Sequence, residues 1–444
     1  MIKISILVCF LLVCSGLSAQ NQTDSLSKDV ADLKKKVTAL DILNKFNLWG
    51  YVQMQYQHAD TAGAKTYSGG DFPVASSDRF RIRRGRVKLE FNHADKKGQS
   101  LLYTAVQVNF SEAGFNLVEY FGRVYDPFIH WFSLTGGMMN RPFGYEIIYS
   151  SRIRETPDRA RMSQTLFPQE RDLGFMATIE PPKTSKWGFF KINAGLYNGT
   201  GLGFNEIDKG KDFIGQVVLN KLFLNDHLKL SGGASYYNGR VLQSTPVYYS
   251  LENTAGSGNP PRYTAHEDST GVGKRFFKRK YVGFDLQVSG IYKWGSTTLR
   301  GEYIFGKQPG TAFGSGTPTV LGNDIYNRKF RGAYAYFVQA IHDARHSMWH
   351  ELVVKYDFFD PNTQLAGQKL NSISDSKVSA ADVKYHTVGL GYVFRPLDFF
   401  KLMVYYDWVI NESTGITDIS RNLKDNILTV RTQFELDAKW FRKK

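Results

Sequence analysis

From residue 47 onward the chain is written in runs of about ten residues in which apolar and polar side chains alternate. The runs fall at 47–57, 79–92, 100–110, 115–126, 130–139, 170–180, 187–197, 211–221, 227–237, 279–291, 296–306, 331–341, 347–359, 382–394, 399–410 and 426–436. In the segment 351–358, Leu352, Val354, Tyr356 and Phe358 share one face, and Glu351, Lys355 and Asp357 share the other. A period of two is the period of a strand, whose successive side chains point to opposite sides. One face suits lipid, the other water. A tilted strand of this length crosses the apolar layer of a membrane.

The connections between runs alternate in length. Those at 93–99, 127–129, 181–186, 222–226, 292–295, 342–346 and 395–398 are short, and every intervening connection except 111–114 is distinctly longer. With the N-terminus in the periplasm, all the short turns fall on the periplasmic side and the long loops outside, as in outer-membrane barrels. A soluble β-sandwich has no reason to keep that order. The pattern therefore predicts an all-β chain, a transmembrane antiparallel β-barrel of about sixteen strands over 47–444.

The N-terminus is of another kind. A basic start, the apolar run 6–13 and the small residues Ser18 and Ala19 predict a secretory signal over 1–19, cut after Ala19 and so a route to the outer membrane. Cys9 and Cys14 leave with it; bulky Val13 before Cys14 argues against a lipid anchor there. The mature chain then holds no thiol, which excludes disulfides and cysteine chemistry. In the periplasmic segment 20–46, Leu26, Val30, Leu33, Val37 and Leu40 follow the spacing of a coiled-coil seam. This reads equally as a single amphipathic helix at the barrel mouth or as a short three-stranded stalk. No later run of about eighteen apolar residues would make a transmembrane helix. Tyrosine and phenylalanine are abundant, 25 and 32, as aromatic girdles require, and the net charge of +15 points to anionic partners.

The most unusual strand is Arg79-Phe-Arg-Ile-Arg-Arg-Gly-Arg-Val-Lys-Leu-Glu-Phe91. Its alternation slips by one around Arg83, Arg84 and Gly85, as a bulge allows. Charges facing lipid at mid-bilayer cost a few kcal/mol each, so most of these must face the lumen or lie beyond the apolar band. A file of guanidinium groups along a pore wall would bind and relay oxyanions. A long connection, 140–169, carries Arg141, Arg152, Arg154, Arg159 and Arg161 against Glu146, Glu155 and Asp158; the loop 238–278 is longer still and ends in a basic run.

Together the Arg-rich strand, Gly136-Gly-Met-Met-Asn-Arg-Pro-Phe-Gly144, Arg171-Asp-Leu-Gly174 and Tyr197-Asn-Gly199 resemble the phosphate-selective porins of the O and P type, in the version common in the Bacteroidetes. The resemblance implies a trimeric barrel of sixteen strands, a loop between strands five and six narrowing the pore, and a preference for anions such as phosphate. The residues themselves temper this. Inward positions read from strand phase are Arg86, Lys88, Arg123, Lys191, Lys229, Arg300, Lys355, Lys401 and Arg431 against Glu90, Glu119, Asp172, Glu180, Asp285, Glu302, Glu351, Asp357, Asp407 and Glu435, so the wall is close to neutral. Arg84, Arg86, Lys88, Arg123 and Arg141 are assigned to anion contact.

No catalytic, cofactor or metal residues are assigned. His342, His346 and His350 are spaced by four, but in a turn between strands that spacing does not gather them. His346 and Ser347 are adjacent on a strand and point apart. The basic run 274–280 interleaves phenylalanine, yet an exported barrel meets no nucleic acid. The expected function is passive diffusion of small hydrophilic solutes through a porin in outer-membrane lipid; the alternative is an adhesion or assembly platform that uses the long loops. The basic residues after Phe441 have no physical account.

Overall fold

The computed structural model describes residues 28–35, 42–202, 206–225, 227–252, 261–367, 370 and 377–438. The signal segment 1–19 and the tail beyond 438 lie outside them. Residues 28–35 are helical with Val30 and Leu33 exposed; Leu26, Val37 and Leu40 of the seam are not described.

The alternating runs form the strands β1 (Phe46–Ala59), β2 (Asp78–Ala94), β3 (Ser100–Ser111), β4 (Gly114–Tyr125), β5 (Phe132–Asn140), β6 (Arg171–Ile179), β7 (Phe190–Tyr197), β8 (Asp212–Asn225) and β9 (Leu228–Leu242). After β10 (Val247–Glu252) and β11 (Arg262–Glu267) come β12 (Phe276–Tyr292), β13 (Gly295–Gly310), β14 (Ile325–Asp343), β15 (Met348–Asp360), β16 (Tyr385–Leu397), β17 (Phe400–Asn411) and β18 (Ile427–Asp437). Sixteen of these close into an antiparallel barrel. β9 pairs directly with β12, and β1 pairs with β18 from Trp49 opposite Asp437 to Ala59 opposite Ile427. Closure leaves no open edge, the condition for a sheet to stand in lipid.

The two remaining strands were not foreseen. β10 and β11 form a hairpin within the long loop between β9 and β12 and touch the barrel by a short parallel pairing of Tyr248 and Tyr249 with Ile325 and Tyr326. β14 accordingly begins at Ile325, ahead of the periodic run expected from 331.

The bulge in β2 stands where the phase slip placed it: Gln53 faces Arg84, Met54 faces Ile82, and Arg83 has no opposite residue. Phe80, Ile82, Val87 and Leu89 are exposed on the outer face, so Arg79, Arg81, Arg83, Arg84, Arg86 and Lys88 form one inward file. Outward apolar residues recur on every side, among them Leu134, Phe175, Leu196, Leu286, Leu299, Leu352, Leu390 and Trp408.

The connection between β5 and β6 turns into the lumen and carries the short helix α1 (Arg161–Leu166). Its Phe143, Ile147, Met162, Leu166 and Phe167 pack with Tyr197, Ile214, Tyr237, Tyr281, Ile304, Phe330, Tyr334, Tyr336 and Phe359 of the wall. One side of the barrel interior is thus filled by an apolar core.

Candidate functional site: the lumen around the inward loop

One glycine lets the inward loop leave β5 against the wall, and a second lets the chain after β7 pack beside it. Gly144 has φ +60°, and a Cβ there would fall 1.8 Å from Oε1 of Glu302. Without it, Glu302 comes close enough to accept the backbone N–H groups of Tyr145 (3.1 Å) and Glu146 (3.2 Å), and the Tyr334 hydroxyl at 2.8 Å. Gly199, φ +90°, stands 2.2 Å by the same measure from the Asp212 carboxylate. Its N–H donates to Asp172 (2.8 Å), and its carbonyl accepts from Arg279 (3.0 Å). The segments 136–144, 171–174 and 197–199, quoted together from the sequence, are therefore the footing of the loop and its neighbours. They are anchors more than solute contacts.

At its far side the loop is held by charge. Arg83 grips Asp158 with Nε (3.1 Å) and an NH2 group (2.8 Å), Arg84 adds a bond of 2.7 Å, and Arg431 stands at 3.5 Å. Glu155 pairs with Arg300 and accepts from the Tyr149 hydroxyl at 3.0 Å. Glu170 pairs with Arg159 (3.0 Å) and Arg171, and Arg171 also binds Glu119 at 2.7 Å. Arg152 reaches Glu435 on β18 (2.6 Å), and Lys401 on β17 donates to the carbonyls of Arg152 (3.0 Å) and Arg154 (3.2 Å). Burial works against the charged forms of Glu155, Asp158 and Glu170, but the surrounding guanidinium groups outweigh it and hold all three below the usual carboxylate range.

This network separates two cavities. The one toward the long loops, about 640 Å³, is lined by Tyr67, Asp71, Arg83, Arg161, Phe313 and Tyr385 among others. The deeper one, about 200 Å³, is lined by Trp49, Arg86, Lys88, Glu119, Ser151 and Arg171 among others. They have no lining residue in common. Narrowing comes from a second segment too: the loop after β1 bends inward, Ser68 reaching Asp407 on β17 at 3.1 Å.

The five residues assigned from strand phase and loop position are not gathered at one place. Arg86 and Lys88 share the deeper cavity, where Arg86 donates to Ser151 (3.1 Å) and Lys88 pairs with Glu119 (3.0 Å). Arg84 is committed to Asp158. Arg141 is buried over the Phe167 ring, 4.9 Å from its centroid, and Arg123 donates to Thr135 at 2.8 Å. The reading missed the partners Asp158, Arg83 and Arg431, and it missed Arg161. Nothing in a periodic pattern says which loop charge meets which strand. The three histidines do not converge: His346 is 2.8 Å from Asp343, His350 is 2.6 Å from the Tyr392 hydroxyl, and His342 packs on Trp349. Among the described residues no group of three His, Cys, Asp or Glu could hold a metal ion.

No family model matches the chain, and no curated protein matches it. Solved structures do. The outer membrane channel DcaP of Acinetobacter baumannii superposes with a TM-score of 0.52 at 10% identity, over 88% of this chain and 97% of that one. OprB of Pseudomonas putida gives 0.52 at 10% identity, over 90% and 96%. The chain shares the β-barrel fold of these structures. OmpT of Vibrio cholerae, solved in a trimer form, gives 0.50 at 10% identity, over 88% of this chain and 99% of that one. At such identity the likeness is one of fold alone.

Proposed function

We propose that the chain is an outer-membrane porin, exported by the signal over 1–19, that passes small hydrophilic solutes and favours anions, phosphate among them. The observation that carries the preference is the charge lining the two cavities. Lys65, Arg83 and Arg161 face Asp71 in the outer one, and Arg86, Lys88 and Arg171 face Glu119 and Glu170 in the deeper one. Other lumen carboxylates are occupied by the protein itself: Glu302 by loop N–H groups, Glu146 by the Ala160 N–H (3.0 Å) and the Tyr336 hydroxyl (2.6 Å), and Asp172 by Gly199. The linings thus carry three cationic residues to one carboxylate in the outer cavity and three to two in the deeper one, a positive balance of the kind that selects by sign in a pore. In this reading Arg86 and Lys88 contact the anion directly, and Arg84, Arg123 and Arg141 contribute field.

Single-channel recording in a planar bilayer under a salt gradient tests it. The expected result is steady channels with an anionic reversal potential, blocked by added phosphate. Neutralising Arg84, Arg86, Lys88, Arg123 and Arg141 together should move the reversal potential toward zero; an unchanged value overturns the assignment. A second reading, an adhesion or assembly platform on the long loops, draws support from the two cavities' having no lining residue in common. It predicts no steady conductance and a partner lost on deleting the β10–β11 hairpin.

A further inference from the structure

The outer cavity holds a cation whose hydrogen-bonding capacity the protein leaves unused. Arg161, the first residue of α1, is 9% exposed, and its guanidinium lies against the rings of Tyr385, 3.9 Å from the centroid, and Tyr67, at 4.7 Å. Buried Asp425 feels its charge, but among the described residues no carboxylate stands within ion-pair distance of it, it donates no side-chain hydrogen bond, and its Nε–H is sealed from solvent with no acceptor. Such a group is costly unless something meets it. Of the other charges lining the cavity, Arg83 is engaged by Asp158 and Asp71 by the Thr66 N–H at 2.9 Å, while Lys65 adds a second positive charge.

We infer that this cavity is a binding site for a small carboxylate whose body is a ring. With two rings against the Arg161 guanidinium and its Nε–H sealed, a ligand meets it at the edge carrying the two terminal nitrogens, whose N–H groups form a planar fork. A carboxylate matches that fork in charge and geometry. Across the cavity Phe313 is 93% exposed, an apolar surface with nothing over it, set beside Pro168 and Phe359. A flat ring covers it, while a bare phosphate has nothing to set against it. A volume of about 640 Å³ suits a small organic ligand. The inference deepens the porin reading by naming a solute class for the pore's outer entrance.

Two kinds of molecule share this chemistry, aryl carboxylates and sugar acids. Calorimetry on the full chain folded in detergent, with benzoate and galacturonate as probes and benzyl alcohol and galactose as neutral counterparts, separates them. At least one acid should bind, and its neutral counterpart should bind roughly tenfold more weakly or worse, as loss of a hydrogen-bonded charge predicts. R161Q should weaken the acid by a similar factor. Should R161Q not fold, R161K serves instead, because it keeps the charge and loses the planar fork. Binding of neither acid, or binding unaltered in a folded Arg161 variant, overturns the site. Conductance is read separately: channels without binding overturn the site and leave the porin, and binding without channels overturns the porin and leaves the site.

Discussion

Asp158 is a single carboxylate facing three guanidinium groups, Arg83, Arg84 and Arg431. Removing it would leave buried cations without a partner, a loss that typically costs about 3 kcal/mol or more. D158N should therefore lower the barrel's stability by about that amount in equilibrium unfolding and loosen the loop, which recording would register as a larger or noisier conductance. The pH dependence follows from the same contacts. Because the folded-state values of Glu155, Asp158 and Glu170 lie below their unfolded ones, their contribution is fully present above about pH 4 and is lost as pH falls further toward the folded values. The share of stability these three supply should be constant from neutral pH to about 5 and fall below about 4, so the acid-side drop in melting temperature should be shallower in D158N. That Asp158 lies in a loop with arginines is visible in the chain; that it meets Arg431, which is remote in sequence, is not.

At the scale of elements, β2 is where pattern and structure agree most closely. A slip of one in its alternation became a bulge at Arg83, and the bulge keeps basic side chains inward on both sides of it. Val87, by contrast, is 44% exposed on the outer face. Val87→Arg would put a charge against lipid and should cost about 2–4 kcal/mol near mid-bilayer, read as lower stability in phospholipid and poorer folding yield. A cost near zero would mean that this face does not meet the apolar layer. Elements without period-two alternation stayed hidden. The β10–β11 hairpin lies in a loop rich in Gly, Ser and Pro, and its strands are short, paired with each other and touching β14 at two positions. The short helix α1 has no capping side chain and no run of helical spacing; it forms because Met162 and Leu166 are buried against the wall.

As a whole molecule, the barrel is a closed ring braced from within: loop and wall are tied at β1, β2, β13, β14, β17 and β18. Its assembly is proposed to be a trimer, with the segment 20–46 as stalk or amphipathic helix. Mass measurement in detergent should give three copies, and removing residues 24–44 should separate them if the stalk holds the trimer; an intact trimer after removal assigns association to the barrel wall. The sequence by itself determined the all-β barrel, the phase of its strands, the order of short and long connections and the bulge in β2. All of these rest on local period, and a strand's period is a property of neighbouring residues. Tertiary structure alone decided which charges cancel. Arg84 of the file is bound to Asp158, Arg86 and Lys88 share a cavity with Glu119, and Arg161 lies against two tyrosines with no carboxylate in ion-pair range among the described residues. The physical reason is that Coulomb and hydrogen-bond energies depend on distances across the lumen, between residues hundreds of positions apart, and no alternation of apolar and polar residues encodes those distances.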